Sequence, residues 1–344
     1  MINVAIIGYG RIAQNHIAAI GKIEDAKIVA VCDHTQKNVD RAVEALGCSG
    51  YTDVDRMLDE QRIDAAIVCT PTMVHEEYVV ACARHGVAVL CEKPLTRTSG
   101  ACKRVIEAVK AADIIFMTAQ VIRFWPEYGK IKELYENGEF GDIYMIRTRR
   151  VTSVEDAKAE WLNAPKQGGG ALHDMIVHDV DYLRYLAGPF DKCYANAVKD
   201  KNGSYNNIMA NMIFKNGIHA ISEGSFTMQT GYPFSFCFSL NGSKATLEYE
   251  YHAGVTINDT DDANGKLQIW RSGKGREIIE VPQEDSFYLQ MKYFLDCVRS
   301  GKKPTFITPD ETDDVIRLID ALHESARTGD VITVDDITPF DFKH

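Results

Sequence analysis

Short apolar runs alternate with longer amphipathic stretches along the first third of the chain. The runs, rich in Val, Ile, Ala and Cys, are residues 3–7, 27–32, 64–69, 87–91 and 114–118. They are too short to be helices, whereas the stretches between them carry apolar residues at helical spacing. Strands that are apolar on both faces and are separated by helices form a parallel sheet covered on both sides. We therefore predict an α/β Rossmann domain with a doubly wound parallel sheet.

Beyond Pro126 the pattern changes. A helical pattern ends near Gly138, residues 142–152 alternate as a strand does, 153–170 form a predicted loop, and 171–186 are again helical. These elements do not continue the strand and helix alternation of the first third. They indicate the start of a second domain.

Period-two alternation of apolar and polar residues follows from 190 to 281, which predicts an antiparallel sheet. Two amphipathic helices, 283–299 and 310–327, complete the chain. Turn signals within the alternating region are Asn202-Gly203, Asn216-Gly217, Asn241-Gly242 and Asn264-Gly265. We therefore predict an α+β domain with a large open antiparallel sheet, and we place the two domains at 1–122 and 123–344.

The composition shows that the protein is acidic. Its 344 residues include 38 Lys and Arg against 49 Asp and Glu, a formal net charge of −11. Nucleic acids and anionic membranes are bound by clustered cations, so this balance argues against both partners. The nine cysteines include no C-x-x-C pair, which is typical of a reducing cytosol. No apolar run approaches the roughly 18 residues of a membrane span, and the start lacks the basic flank of a signal peptide, so we expect a soluble cytoplasmic protein.

The first strand runs directly into a glycine turn, Gly8-Tyr9-Gly10-Arg11-Ile12-Ala13. In a G-x-G-x-x-A turn the first glycine permits tight bending, the second lets a pyrophosphate approach the backbone, and the small third residue allows close helix packing. The following helix offers its N-terminus to the anion. This context predicts a dinucleotide site. The contacts assigned to the turn are Gly8, Gly10, Arg11 and Ile12.

The second strand ends at Asp33, 20 residues beyond Ala13. A carboxylate at that place can accept hydrogen bonds from the adenosine ribose and would repel a 2′-phosphate, so we predict NAD as the cofactor. His34 and Lys37 lie close enough in sequence to soften this preference. NADP therefore remains an alternative.

Two further strand ends carry polar residues, and ligands of open α/β sheets bind outside the carboxyl ends of the strands. Glu92 and Lys93 follow one of these strands, and a lysine there can hydrogen-bond a substrate hydroxyl. Thr70, Pro71 and His75 follow another and are candidate cofactor contacts. The alternative for them is a plain helix start with proline in the first turn.

Glycines 168–170 precede a predicted helix that carries Asp174 and His178. Residues four apart share a helix face, and a histidine held by an aspartate is a natural acceptor of an alcohol proton. The glycines suggest backbone packed tightly against another surface or a ligand. His173 and Asp179 raise the alternative of metal ligands, but the spacing is not H-E-x-x-H and no other dense His/Cys cluster completes a site, so we predict no metal. A serine hydrolase is disfavoured because no G-x-S-x-G turn occurs.

Taken together, residues 8–13, the Glu92-Lys93-Pro94 segment and the glycine-led helix resemble the Gfo/Idh/MocA family, the glucose-fructose oxidoreductase and inositol dehydrogenase group. The stretch 175–181 looks most like the inositol 2-dehydrogenase branch. The resemblance covers nearly the whole chain and implies NAD(P)-dependent oxidation of a ring hydroxyl of a sugar or cyclitol, or the reverse reaction. It also implies homodimers or homotetramers formed through the open face of the large sheet.

The resemblance further implies that Lys93, Asp174 and His178 line the substrate pocket. Arg123 matches the family's arginine after the last strand of the first domain, where it either meets a substrate hydroxyl or carboxylate or holds the interdomain hinge. Leu162 departs from the pattern, because many sugar-oxidising members carry an arginine there. That departure removes the basis for a cofactor contact from this loop.

The predicted active cleft lies between the two domains. His178 accepts the hydroxyl proton, Lys93 polarises or relays it, Asp174 orients the pair, and hydride passes to the nicotinamide. One alternative enzyme is an NAD-dependent glycosidase, in which the oxidation is transient. The alternative outside catalysis is a sugar or dinucleotide sensor on the same fold, although a sensor needs no proton acceptor.

Overall fold

The computed structural model describes residues 1–153, 161, 164–253, 264–339 and 341. These residues form two compact units: the first comprises Met1–Phe124 and Glu284–Asp313, and the second comprises Trp125–Gln283 and the residues from Asp314 onward. The division predicted from the sequence placed 284–313 in the second domain. This segment instead packs with the first unit.

Helices flank a sheet in each unit. They are α1 (Arg11–Ile20), α2 (Gln36–Leu46), α3 (Val54–Glu60), α4 (His75–Arg84), α5 (Ser99–Ala111), α6 (Pro126–Glu136), α7 (Ala171–Asp174), α8 (Ile176–Ala187), α9 (Ser286–Ser300) and α10 (Pro309–Thr328). Within the described part of the chain, no helix combines the length and the apolar character that a membrane crossing requires.

The first unit is built on a parallel sheet of six strands. The strands are β1 (Ile2–Ile7), β2 (Ala26–Cys32), β3 (Ser49–Tyr51), β4 (Ala65–Val68), β5 (Ala88–Cys91) and β6 (Phe116–Thr118). Their order, β3-β2-β1-β4-β5-β6, places the switch point of the doubly wound topology between β1 and β4. The predicted parallel sheet is confirmed. Among the six strands, only the short β3, with the sequence Ser-Gly-Tyr, lacks an apolar run from which it could be predicted.

Helix α9 explains why residues 284–313 belong to the first unit. Its Met291, Phe294 and Leu295 are fully buried in the same core as Ile6 of β1 and Ile20 of α1. Burying an apolar side chain of this size contributes about 1.5–3 kcal/mol. The apolar face of α9 therefore stays with the parallel sheet, although the helix follows the second sheet in sequence.

The second unit is built on a sheet of nine strands. Besides β7 (Ile143–Val151) these are β8 (Phe190–Lys199), β9 (Tyr205–Phe214), β10 (His219–Ser225), β11 (Ser235–Gly242), β12 (Ala245–His252), β13 (Asn264–Arg271), β14 (Gly275–Ile278) and β15 (Ile332–Thr333). The order is β14-β13-β12-β11-β7-β10-β9-β8-β15, and all pairs are antiparallel except β7 with β10. The predicted large antiparallel sheet is confirmed, with one parallel pair near its centre.

Two of the four predicted Asn-Gly turns are wrong. Gly203 and Gly217 do lie in hairpin turns and have φ values of +88° and +85°. Gly242 instead ends β11, and Gly265 lies within β13. A Cβ at Gly242 would lie 2.3 Å from the carbonyl oxygen of Phe140. Close approach of a neighbouring segment, not a turn, therefore requires glycine at that position.

Candidate active site

The turn after β1 has a conformation that glycine adopts readily. Gly8 has a φ of +93°, and a Cβ there would lie 2.9 Å from the backbone carbon and oxygen of Cys69. The first glycine is therefore required both by its backbone and by the close approach of the chain after β4. Ala13, at the third position of the motif, is fully buried in the core.

The residues at this turn fit a dinucleotide. At Gly10 no described atom lies within 4 Å of the place where a Cβ would be, so a side chain would fill the cradle beside the backbone. Helix α1 begins at Arg11, and its N-cap residue is Gly10, which has no side chain to cap the first N–H groups, so the positive helix end can receive an anion. Oγ1 of Thr70, just after β4, is buried and has no hydrogen-bond partner among the described residues. Such a hydroxyl fits a polar ligand bound beside it.

Asp33 follows β2, and its carboxylate is engaged by the protein itself. Its Oδ2 accepts from the N–H of Tyr9 at 2.8 Å. Its Oδ1 accepts from the N–H and the hydroxyl of Thr35, both at 2.9 Å, and from the amide of Asn38 at 3.2 Å. Burial opposes ionisation, but these hydrogen bonds hold the pKa of Asp33 below its usual value. The carboxylate is thus a fixed anion whose spare acceptor capacity lies on Oδ2.

Glu92 and Lys93 follow β5, and the Glu92 carboxylate is buried. Its Oε1 lies 2.7 Å from Nε2 of His16 in α1, and its Oε2 accepts the N–H of Lys93 at 3.1 Å. Each of its oxygens therefore has a protein partner, and the cofactor contact predicted for Glu92 stays a prediction. The Lys93 side chain is partly exposed.

The surroundings of His75 do not support the cofactor contact predicted for it. Its ring is completely buried, with Nε2 2.8 Å from the carbonyl oxygen of Thr70 and Nδ1 3.1 Å from those of Pro94 and Leu95. Burial lowers the pKa of the ring. His75 therefore ties the turn after β4 to the turn after β5. Thr70 and the exposed Pro71 remain candidates for cofactor contact.

In the second unit, the glycine-led segment packs against β9. Gly170 has a φ of +73°, and a Cβ there would lie 2.4 Å from Oδ1 of Asn206. The same oxygen accepts the N–H of Ala171 at 3.0 Å and so caps the start of α7. The glycine meets a protein surface, which is one of the two readings that the sequence left open.

Asp174 and His178 differ from their neighbours in accessibility. Every residue from 171 to 183 is buried except these two, which are partly exposed. The predicted single helix is interrupted at Met175, between α7 and α8, but the φ of −89° and ψ of −59° there remain right-handed. The two side chains therefore keep the helical spacing that places them on one side of the segment.

Asp179 has a different role from His178, its neighbour in sequence. Its carboxylate forms two hydrogen bonds with the guanidinium of Arg150 on β7, at 3.0 and 2.9 Å, and both side chains are almost fully buried. An aspartate held in this way is part of the packing of α8 on the sheet. Among the described residues no group of three or more His, Cys, Asp or Glu has the arrangement of a metal site.

Arg123 lies in a single helical turn, Val121–Phe124, and its side chain is completely buried. The guanidinium donates to the carbonyl oxygen of Phe306 at 2.7 Å and to Glu311 at 3.2 Å. All these residues belong to the first unit. These contacts show a packing role within that unit and do not address the interdomain hinge, and the substrate contact considered for Arg123 stays a prediction. Leu162 lies outside the described residues.

The sequence reasoning missed His16 and Arg150. His16 occupies an apolar position of amphipathic α1, so its spacing indicated core and nothing more. Arg150 gave a signal, because it follows Ile146 and Thr148 in period two on the buried side of β7. A charge at such a position requires a partner, but the alternation cannot say which carboxylate supplies it.

Comparison with known families gives two matches. Residues 2–120 match the model of the GFO/IDH/MocA oxidoreductase family, NAD-binding Rossmann fold, and residues 132–334 match that family's C-terminal alpha/beta domain. The matches correspond to the two sheets described above.

Similar curated proteins include the myo-inositol 2-dehydrogenase of Thermotoga maritima, 29% identical over 88% of this chain and 90% of the relative. The scyllo-inositol 2-dehydrogenase (NAD(+)) of Bacillus subtilis is 26% identical over 90% of each chain. Among solved structures, the WlbA dehydrogenase of Bordetella pertussis in complex with NADH and UDP-GlcNAcA superposes with a TM-score of 0.83, at 24% identity over 99% of both chains. This structural likeness shows a shared fold.

Proposed function

This chain belongs to the Gfo/Idh/MocA oxidoreductase family, and we propose that it oxidises a ring hydroxyl of a cyclitol such as an inositol, or reduces the corresponding ketone. The reaction class is that of an NAD(P)-dependent dehydrogenase acting on sugar or cyclitol hydroxyls. The choice of a cyclitol rests on the inositol 2-dehydrogenases among its relatives, which match about nine-tenths of the chain. A sugar is the alternative substrate, because the D-xylose 1-dehydrogenase (NADP(+)) 2 of Haloferax volcanii is 26% identical over 94% of the chain.

The observation that carries the site assignment is the accessibility of Asp174 and His178 within a segment that is otherwise buried. Partly exposed polar side chains on a rigid element are accessible to a ligand, whereas Asp179 next to them is buried in an ion pair with Arg150. Lys93 is likewise partly exposed at a strand end where ligands bind in this fold. We assign these three residues to the substrate.

Each of the three has a distinct task. A ring nitrogen of His178 accepts the proton of the reacting hydroxyl, because histidine titrates close to neutral pH. Nζ of Lys93 donates a hydrogen bond to the same oxygen and so favours its alkoxide character. The carboxylate of Asp174 accepts from a neighbouring hydroxyl or orients the histidine. NAD, when bound, supplies the hydride acceptor for oxidation.

NAD is proposed over NADP because of the state of Asp33. Its carboxylate is ionised and held by Tyr9, Thr35 and Asn38, so it cannot swing away from a 2′-phosphate. The ribose of NAD offers hydroxyls that can donate to the remaining capacity of Oδ2. Gly8, Gly10, Arg11 and Ile12 would receive the pyrophosphate at the start of α1.

The direct test is absorbance at 340 nm with NAD or NADP against myo-inositol, scyllo-inositol, hexoses and sugar acids. NADH formed with a cyclitol in preference to the sugars supports the proposal, and preference for a hexose or sugar acid overturns the cyclitol assignment. Binding of NAD without NADH from any polyol would favour the glycosidase or sensor alternatives over a dehydrogenase.

The site is tested with His178→Ala, Asp174→Asn and Lys93→Ala. We expect a loss of kcat of at least about 100-fold in His178→Ala, the usual contribution of a general base. His219→Ala is the matched control, because His219 is an exposed histidine of the same unit. Full activity of His178→Ala would remove this histidine from the chemistry.

We also propose that a second copy of the chain covers the open face of the nine-stranded sheet. Met209 on β9 is 57% exposed, and Ile221, Cys237 and the ion pair of Arg149 with Glu223 line the same shallow depression. Methionine and arginine are enriched at protein interfaces, and in a two-fold dimer the same patch of both subunits forms the contact. Light scattering should give a dimer or tetramer, and Met209→Lys should shift it towards the monomer; a monomeric wild type contradicts the proposal.

The compartment is proposed from the thiols. All nine cysteines are free and eight of them are buried. This usage supports a reducing compartment such as the cytoplasm.

A further inference from the structure

A buried pair of a histidine and a carboxylate lies behind the turn that carries Lys93. His16 is 1% exposed and Glu92 is 7% exposed, and Nε2 of the histidine donates to Oε1 of the carboxylate over 2.7 Å. The ring of Phe287 from α9 meets the imidazole edge-on at 5.5 Å and closes that side from solvent. Nothing in the reaction proposed above uses this pair.

The two oxygens of the Glu92 carboxylate have different partners. Oε1 receives the histidine of α1, and Oε2 receives the backbone N–H of Lys93 at 3.1 Å. The carboxylate therefore connects the helix that begins at the glycine turn with the backbone of the lysine. A charge-assisted hydrogen bond of this kind is stronger than a neutral one and fixes direction as well as distance.

We propose that His16 and Glu92 are positioning residues for Lys93: His16 holds the buried carboxylate in place, and the carboxylate fixes the lysine backbone. The inference rests on the proposed function in assigning Lys93 to the substrate. Neither His16 nor Glu92 is a catalytic residue.

The surroundings of Glu92 support a permanent negative charge. Burial opposes its ionisation, but the hydrogen bond from His16 and the charges of His16 and Lys93 hold the pKa of Glu92 below its usual value. The other groups whose ionisation responds to it are His75 of α4 and the thiols of Cys69 and Cys91. Burial raises the pKa of both thiols well above the ordinary value, so they carry no competing charge at neutral pH.

Fixing the backbone of Lys93 fixes the point from which its side chain extends. A catalytic geometry that is lost by a small displacement lowers the rate of the chemical step more than it lowers binding. Loss of this anchor should therefore lower kcat while the KM for NAD stays nearly unchanged.

The experiment compares Glu92→Gln, His16→Gln and His16→Ala with the wild type in the direction of NADH formation. Glu92→Gln keeps an acceptor oxygen but loses the charge, and it should lose about tenfold in kcat, the worth of one charge-assisted hydrogen bond, with the KM for NAD changed less than threefold. His16→Gln keeps a donor at the place of Nε2 and should retain most of kcat. His16→Ala should lose about tenfold in kcat, with the KM for NAD changed less than threefold.

Thr312→Val is the matched control, since it removes a buried polar contact in the same unit, the 3.2 Å hydrogen bond with Thr118. Its kcat should stay at the wild-type value. NAD binding by calorimetry checks that each variant is folded. A purely structural role of the pair predicts lower stability with an unchanged kcat of the folded Glu92→Gln enzyme, and that result overturns the inference.

Lys93→Ala separates this inference from the proposed function. If Lys93→Ala keeps full activity, the assignment of Lys93 to the substrate fails and the inference fails with it. If Lys93→Ala is inactive while Glu92→Gln and His16→Ala keep the kcat of the wild type, the proposed function stands and only the role of His16 and Glu92 is refuted.

Discussion

Replacing Asp179 by asparagine should strongly destabilise the second unit. The change keeps the shape of the side chain but leaves the guanidinium of Arg150, which is 2% exposed, without its counter-charge. Removal of one partner from a buried ion pair costs about 3–5 kcal/mol, because the remaining charge stays desolvated. With a urea m-value near 2–3 kcal/mol/M, the unfolding midpoint should fall by about 1–2.5 M.

Tryptophan fluorescence measures this loss selectively. Trp125, Trp161 and Trp270 are the three tryptophans of the chain, and all belong to the second unit. Their signal therefore follows the unfolding of that unit and is not mixed with the first. Lys215→Met, which breaks the exposed ion pair with Asp335, is the control and should leave the midpoint within error.

A second variant distinguishes charge from packing. Arg150→Met combined with Asp179→Leu replaces the pair by apolar side chains and should recover most of the lost stability, since apolar replacement of a buried ion pair is often neutral. A free energy of unfolding of Asp179→Asn within about 0.5 kcal/mol of the wild-type value would refute the reasoning, because surface substitutions have effects of that size. The pair would then not be desolvated as its burial indicates.

Three further predictions concern the turns and the buried charges. Asp33→Ser should lower kcat/KM for NAD about 10–100-fold, the worth of a charged hydrogen bond, and an unchanged ratio of NAD to NADP activity would contradict the role of Asp33. Gly170→Ala should destabilise the second unit more than Gly217→Ala in the same fluorescence assay. Both glycines have a positive φ, but only at Gly170 would a Cβ lie against Asn206. Equal effects would show that backbone strain alone accounts for the loss. The pKa of Glu92 is lowered from its ordinary 4.5, so its ionised form stabilises the first unit above that pH, and this contribution is lost as the pH falls through the folded pKa. Hydrogen exchange in β5 between about pH 5 and 3 should show this loss in the wild type, and the same pH dependence in Glu92→Gln would contradict it.

The sheets could be predicted from the sequence because burial sets the pattern of each strand. Strands covered on both faces become apolar runs, and strands covered on one face alternate, so the two domains differ visibly along the chain. The short β3 and the return of 284–313 to the first unit could not be predicted in this way. Both depend on which surface a segment packs against, and an amphipathic pattern such as that of α9 states only that a partner exists.

The site could be predicted where chemistry follows from local sequence. The glycine turn and the polar strand ends could be predicted, because backbone conformation and strand direction determine their positions. The partners of His16 and Arg150 could not be predicted. They lie 76 and 29 residues away in sequence, at Glu92 and Asp179, and such pairs exist only once the elements have packed.

The polar candidate residues fall into two groups, according to whether the folded protein buries their polar atoms or leaves them accessible. Asp179 and Arg123 are buried with their charges met by the opposite charge of another residue, and the ring of His75 is surrounded by carbonyl oxygens, so all three contribute to structure. Asp174 and His178 are instead partly exposed, although every residue around them is buried. Partial exposure spares a polar group the cost of burial and leaves it accessible to a ligand, which is the role we propose for these two. Residue type and spacing cannot make this distinction, since a buried aspartate and an accessible one are the same letter in the sequence.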